Sequence, residues 1–226
     1  MDQAADAVNV RILVLGDGGV GKTSLVQRIC SGTVRARTRW TVGCDVTPMV
    51  YTSIASSRSC TVDFWDVGGS ASYAAGRGCF LRALLLGAKG EGSAQVLTQH
   101  ADGIMLVCDR TNTKSYHNLL RWRDEVTAVC PGADPGSSAK HALPWLIVCN
   151  KSEGPHGNLP DARRDYGVDI VASSATDLSV AIPARIGSFL DAALDSRIAM
   201  LRGGAASARR TAPRPASSRA RHRAAP

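Results

Sequence analysis

The stretch "LVLGDGGVGKTSLV", residues 13–26, decides the fold. An apolar run enters a cluster of glycines and leaves through Lys22, Thr23 and Ser24. Gly16, Gly21, Lys22 and Thr23 fill the pattern G-x-x-x-x-G-K-[S/T], and they do so between a strand-like and a helix-like segment, the context that makes the string specific. Glycines let the backbone curl so that successive N–H groups point inward at phosphate oxygens. A helix starting at Lys22 adds its positive dipole end. Gly18, Gly19, Val20, Gly21, Lys22, Thr23 and Ser24 therefore form a candidate phosphate cradle. Lys22 is expected to reach the β- and γ-phosphates, and the Thr23 hydroxyl to ligate Mg²⁺.

Outward from this loop the chain alternates strand and helix. "VRILVLG" (10–16) reads as a buried strand, and "KTSLVQRICSG" follows as a helix ended by Gly32. "DVTPMVYTSI" and "SCTVDFWDV" read as two strands joined by a polar connection. "DGIMLVCD" (102–109), "LPWLIVCNKS" and "YGVDIVAS" are further strands. "NTKSYHNLLRWRDEVTAVC" has a helical period, and "VAIPARIGSFLDAALDSRIAML" a closing one. The expected architecture is α/β, a mostly parallel six-stranded sheet with helices on both faces, binding its ligand at the carboxyl ends of the strands.

The chain has 226 residues, 44% apolar, with a formal net charge of +8. Seven arginines and no acid lie from Arg202 onward, so residues 1–201 carry only +1. The basic balance belongs to the tail and does not mark a nucleic-acid-binding domain. The expected organisation is a short N-terminal tail (1–8), a folded domain (9–201) with an insertion at about 83–100, and a disordered Arg/Ala/Pro/Ser-rich tail (202–226). The seven cysteines are odd in number, show no Cys-x-x-Cys and mostly fall in apolar runs, as in a reduced intracellular protein without zinc. No secretory leader, membrane span, myristoylation glycine or prenylation cysteine is legible. A cytoplasmic location is expected, with the arginine tail compatible with a nuclear fraction.

Taken together with "WTVGCDV", "WDVGG", "CNKSE" and "SSAT", the glycine loop resembles that of Ras-superfamily small GTPases of the Rab type. "WTVGC", "WDVGGS" and "TNTKSYHNLLRW" resemble most closely the divergent Rab-like members, which lack a prenylated tail. The resemblance covers roughly residues 9–200 and implies the P-loop NTPase three-layer sandwich. It implies GTP or GDP with Mg²⁺ as ligands and a nucleotide-dependent switch in signalling or vesicle trafficking. By the same resemblance, Thr41 in the first switch closes over Mg²⁺ and the γ-phosphate, Asp66 holds Mg²⁺ through water, and the Gly69 N–H meets the γ-phosphate. Asn150, Lys151 and Glu153 stand at the guanine motif, with Ser174, Ala175 and Thr176 beside the base.

The departures from that pattern carry expectations of their own. Ser70 stands where most of the family has the glutamine that orients the attacking water, which implies slow hydrolysis. Glu153 replaces an aspartate and moves the guanine-binding carboxylate out by one methylene. The ring that usually stacks on the base is missing: Val34 is at its spacing, and either Trp40 substitutes or nothing does. Arg35, Arg37 and Arg39 crowd the first switch, as an arginine in cis or as solvated charge. The segment from Lys151 to Ser174 is short, so its helix is expected to be clipped. A non-cycling nucleotide-binding adaptor and a P-loop small-molecule kinase are the rival classes. Guanine nucleotide is the expected ligand and unnamed effector and regulatory proteins the partners, with membrane contact at most weak and peripheral and nucleic acid disfavoured.

Overall fold

The computed structural model describes residues 8–33, 39–86, 100–135, 137, 143–153, 159–177 and 183–211, without the side chains of 75 and 203–211. Strand β1 (Asn9–Leu15) is central and feeds the glycine loop, and helix α1 (Lys22–Ser31) leaves it. β2 (Cys44–Thr52) and β3 (Ser59–Val67) follow, then a short 3₁₀ turn (Ala71–Tyr73) and α2 (Ala74–Leu86). β4 (Gly103–Asp109), α3 (Thr113–His117), α4 (Leu119–Val129), β5 (Trp145–Asn150), α5 (Ala162–Tyr166), β6 (Ile170–Ala172) and α6 (Ala184–Thr211) complete the order. The six strands lie β2-β3-β1-β4-β5-β6, with only the β2–β3 pair antiparallel.

Alternation along β1 builds both layers of the core. Val10, Ile12 and Val14 face one way and pack with Leu25 of α1 and Phe189, Leu190 and Leu194 of α6. Leu13 and Leu15 face the other way, with Leu81 and Leu85 of α2 and Leu119, Trp122 and Val126 of α4. Burial on both faces is what makes these strands read as continuous apolar runs. The carboxyl ends of β1, β3, β4 and β5 then converge on the glycine loop.

Three expectations need correction. The helix read across residues 112–130 is divided at Asn118 into α3 and α4, though Asn118 keeps helical dihedrals (φ −69°, ψ −12°), and its side-chain amide donates to Asp17 Oδ2 at 2.6 Å. Helix α2 runs to Leu86 with Leu85 buried, so the first residues of the stretch expected as an insertion at about 83–100 are helical, because an apolar face against the sheet outweighs two glycines. The roots of that stretch are pinned together, with Ala101 N–H donating to Leu84 O at 3.1 Å, and residues 87–99 lie outside the described set. Helix α6 also continues to Thr211, past the expected end at 201, because alanine and arginine propagate a helix once it is nucleated. Residues 212–226 lie outside the described set. The clipped helix after Lys151 is α5, five residues long, capped by Asp161 and ended by Gly167 at φ 70°.

Asp102 leads into β4 with one buried carboxyl oxygen accepting the Arg11 N–H at 2.8 Å and the other 3.8 Å from Arg197 of α6. Burial pushes its pKa up to about 6, against the pull of Arg11 and Arg197. The folded chain thus holds this proton more tightly than the unfolded one, so Asp102 makes stability fall as pH rises from about 4 to 6. Asp102→Asn should remove that slope and gain up to about 2–3 kcal/mol on the wild type by pH 7, the attraction of Arg197 being already contained in that pKa. Urea unfolding of both chains at pH 4.5 and 7 measures it, and parallel pH dependence would contradict it.

Candidate functional site

The glycine loop is shaped by steric demands that only glycine meets. Gly16 has φ 145°, and a Cβ there would lie 2.1 Å from Val107 O of β4. Gly21 has φ 90°, and a Cβ there would lie 2.4 Å from Asn150 Nδ2. Lys22 opens α1 nearly buried, its Nζ donating to Gly16 O at 2.8 Å and Asp17 O at 3.0 Å. Burial lowers its pKa to about 8, while Asp66 and Asp17 pull it up and Arg77 pushes it further down. A buried ammonium short of counter-charge is a ready partner for an anion.

The cavity over this loop has a volume of about 380 Å³. It brings together Gly18, Gly19, Gly21, Lys22, Thr23 and Ser24 of the loop with Thr41, Gly69 and Ser70, and with Asn150, Lys151, Glu153, Ala175 and Thr176. Val20 and Ser174 stand behind that wall, both buried. Residues far apart in sequence thus meet at one mouth, on the side where open α/β sheets bind ligands.

Thr23, Thr41 and Asp66 form a compact oxygen cluster. The two hydroxyls are 3.1 Å apart, Thr23 donates to Asp66 Oδ2, and Thr41 Oγ1 lies 3.3 Å from the same oxygen. Asp66 Oδ1 is buried with no hydrogen-bond partner. Burial raises the Asp66 pKa, against the bonds from Thr23 and the charge of Lys22. A carboxylate with an unsatisfied oxygen beside two hydroxyls fits a hard, oxygen-seeking cation such as Mg²⁺. Thr23, Thr41 and Asp66 would hold such an ion, with the Asp66 carboxylate offsetting its charge.

Gly69 closes the second switch on the loop backbone: a Cβ there would lie 2.4 Å from Gly16 O, 2.5 Å from Asp17 C and 2.6 Å from Gly18 N. Ser70 Oγ accepts the Ser72 N–H at 3.3 Å as cap of the 3₁₀ turn. Trp40 is largely exposed and stands beside Gly18, with a Gly18 Cβ predicted 3.2 Å from its Cζ3. Trp40 also lines the cavity, beside Thr41 in sequence. Arg39 lines the cavity, while Val34, Arg35 and Arg37 lie outside the described residues.

At the other end Asn150 Nδ2 donates to Val20 O at 2.9 Å, and Lys151 Nζ to Gly19 O at 2.9 Å and Asp109 Oδ2 at 2.6 Å. Lys151 adopts φ 62°, a left-handed conformation held by these two anchors. Burial pushes the Asp109 pKa up, but the bonds from Lys151 and Thr111 outweigh it and leave it lowered. Ser174 Oγ accepts the Thr176 and Asp177 N–H groups at 3.3 and 2.9 Å, which folds the "SSAT" loop. Arg28 of α1 donates to Ser174 O and Asp177 O, binding that loop to the phosphate-loop helix. Glu153 Oε1 accepts the Thr176 hydroxyl at 3.2 Å, so the longer carboxylate is braced by the facing loop.

Sequence reading missed Asp17, Asp109 and Arg77. Asp109 carried a signal, a carboxylate ending an apolar strand on the ligand side. Asp17 sits at a position the glycine pattern leaves free, yet its carboxylate accepts from Asn118, Arg121 and Trp122 at 2.6, 3.1 and 2.9 Å. Nothing in the string "AAGRGCF" marks Arg77.

Comparison with known proteins gives the family. The family model described as "Ras of Complex, Roc, domain of DAPkinase" matches residues 11–86, from the glycine loop through the second switch. The chain is 34% identical over 160 residues to "Rab-like protein 3" of Mus musculus, covering 65% of this chain and 62% of that protein. It is 30% identical over 183 residues to "Rab-like protein 3" of Xenopus tropicalis, covering 75% and 71%. It is 31% identical over 196 residues to "Small GTPase LIP1" of Arabidopsis thaliana, covering 75% and 52%. The match thus spans less than two thirds of the mouse relative's length. The chain belongs to the divergent Rab-like small GTPases of the Ras superfamily.

Proposed function

We propose that this chain is a GTP/GDP-dependent switch with Mg²⁺ as its metal, acting in intracellular signalling or vesicle trafficking through protein partners. One observation carries the reading above all: the glycine loop, the Thr23–Thr41–Asp66 cluster and the Asn150–Lys151 clamp meet around one cavity. Loop amides and Lys22 grip the phosphates, Asn150 and Glu153 face the base, and Thr41 and Gly69 respond to the γ-phosphate. Loss of that phosphate removes the contacts holding both switches. The cytoplasm, where GTP and partner proteins are at hand, is the setting this reading assigns.

Hydrolysis is slow in this reading. Ser70 is too short to position the attacking water as the family's glutamine does. Ras-type proteins with the glutamine turn over at only about 10⁻⁴ s⁻¹ unaided, so a lower single-turnover rate is expected here. Phosphate release from preloaded, Mg²⁺-bound GTP measures it, and a rate at or above that of ordinary Rab proteins would contradict it.

Glu153 sets base affinity in this reading. Glu153→Asp shortens the carboxylate to family length and is expected to change GDP affinity by about 5- to 100-fold, upward if the loop has not absorbed the extra methylene, as a charge-assisted pair worth ~1–3 kcal/mol would. Titration with fluorescent GDP reads the change. Unaltered affinity would show that Glu153 does not carry the base contact.

A further inference from the structure

Arg77 lies inside α2, almost wholly buried, and the switch chemistry outlined above gives it no task. Its guanidinium touches four partners. It pairs with Glu125 of α4 through two parallel bonds, Nε to Oε2 at 2.7 Å and Nη2 to Oε1 at 3.0 Å. It lies 4.1 Å from the centroid of the Trp122 ring. Its remaining nitrogen, Nη1, points back into the second switch, 3.4 Å from Gly68 O and 3.2 Å from Ser70 O. The same Trp122 donates its indole N–H to Asp17 Oδ1 in the phosphate loop at 2.9 Å.

We infer that Arg77 is a positioning residue for the γ-phosphate contact, aiming the Gly69 N–H by fixing the peptide on its amino side. This rests on the guanine-nucleotide reading and adds to it a residue outside the cavity. The reasoning starts from the peptide plane. In a trans peptide the carbonyl of one residue and the N–H of the next point in opposite directions. No cis peptide occurs among the described residues. Holding Gly68 O toward Arg77, on the α2–α4 side, therefore turns the Gly69 N–H toward the phosphate loop. A hydrogen bond from a charged donor also polarises that amide and strengthens its N–H as a donor. The bond to Ser70 O fixes the far side of the same turn, so Gly69 is held at both flanks.

Helix α4 supplies the reference frame. Glu125 and Trp122 fix the guanidinium, and Asn118, Arg121 and Trp122 fix Asp17 of the loop. The two surfaces that a γ-phosphate must bridge are thus anchored to one face of one helix. A planar fork that stacks and binds at several edges is needed for this, and a lysine ammonium provides neither the plane nor the fork.

The test uses the full chain with Mg²⁺, titrated with GDP and with the non-hydrolysable imidotriphosphate analogue of GTP. Arg77→Lys keeps the charge and Arg77→Met keeps much of the bulk. Arg77→Lys is expected to bind the triphosphate analogue about tenfold more weakly while GDP affinity shifts by less than about twofold, the size of one charge-assisted hydrogen bond. Arg77→Met is expected to do the same. Equal loss for both nucleotides would mean a merely structural role and would overturn the inference, as would wild-type binding by Arg77→Lys. Should Arg77→Met fail to fold, Arg77→Lys alone decides. A wild-type chain that binds neither nucleotide would instead strike the functional reading itself.

Discussion

Lys22→Ala is expected to lower guanine-nucleotide affinity by about 10²- to 10³-fold, the loss usual when one partner of a buried charge pair is truncated. The ammonium is buried and held by Gly16 O and Asp17 O, leaving a third donor for the cavity. Burial has drawn its pKa to about 8, so a polyphosphate would find a charge with little competing solvation. Folding should survive, since alanine is a good first-turn helix residue and water can enter the open cavity to satisfy the two carbonyls. Titration with fluorescent GDP, alongside thermal unfolding, reads both quantities. An affinity within about fivefold of wild type would remove Lys22 from the phosphate site.

Gly69→Ala is expected to act on the γ-phosphate state specifically. The added methyl would sit 2.4–2.6 Å from three backbone atoms of the phosphate loop. These are Gly16 O, Asp17 C and Gly18 N, none of which can rotate away as a flexible side chain would. The second switch must therefore back off, taking the Gly69 N–H out of reach. Loss of a hydrogen bond to a charged group then weakens triphosphate binding by about 10- to 100-fold relative to GDP. Competition between GDP and the imidotriphosphate analogue gives this ratio directly, and an unchanged ratio would show that the switch does not close through Gly69.

Much of this was written in local sequence. Continuous apolar runs marked the central strands β1, β4 and β5, because a strand buried on both faces needs no alternation to be read, while β2 and β3 showed through their alternation about a polar connection. The glycine loop was legible because its spacing is dictated by backbone geometry, and Thr41, Asp66 and Asn150 because each sits at a strand end or switch string. What stayed hidden was set by distance. Arg77 finds Glu125 48 positions away, and Asp17 finds Trp122 105 positions away, separations over which periodicity carries no signal. Helix α2 was obscured by Gly76 and Gly78, which weaken local helix propensity until Leu81 and Leu85 pack on the sheet. The end of α6 was misjudged as well, since the backbone stays helical past Leu201 and through Gly203 and Gly204 to Thr211.

The most direct measurement is the binding of nucleotides to the purified full chain, stripped of ligand and supplied with Mg²⁺. Saturable binding of GDP and GTP, with ATP failing to compete and EDTA accelerating release, is the expected result. Indifference to guanine nucleotides at saturating concentration, or equal competition by ATP, would contradict a guanine-nucleotide switch built on Lys22, Thr23 and Asn150.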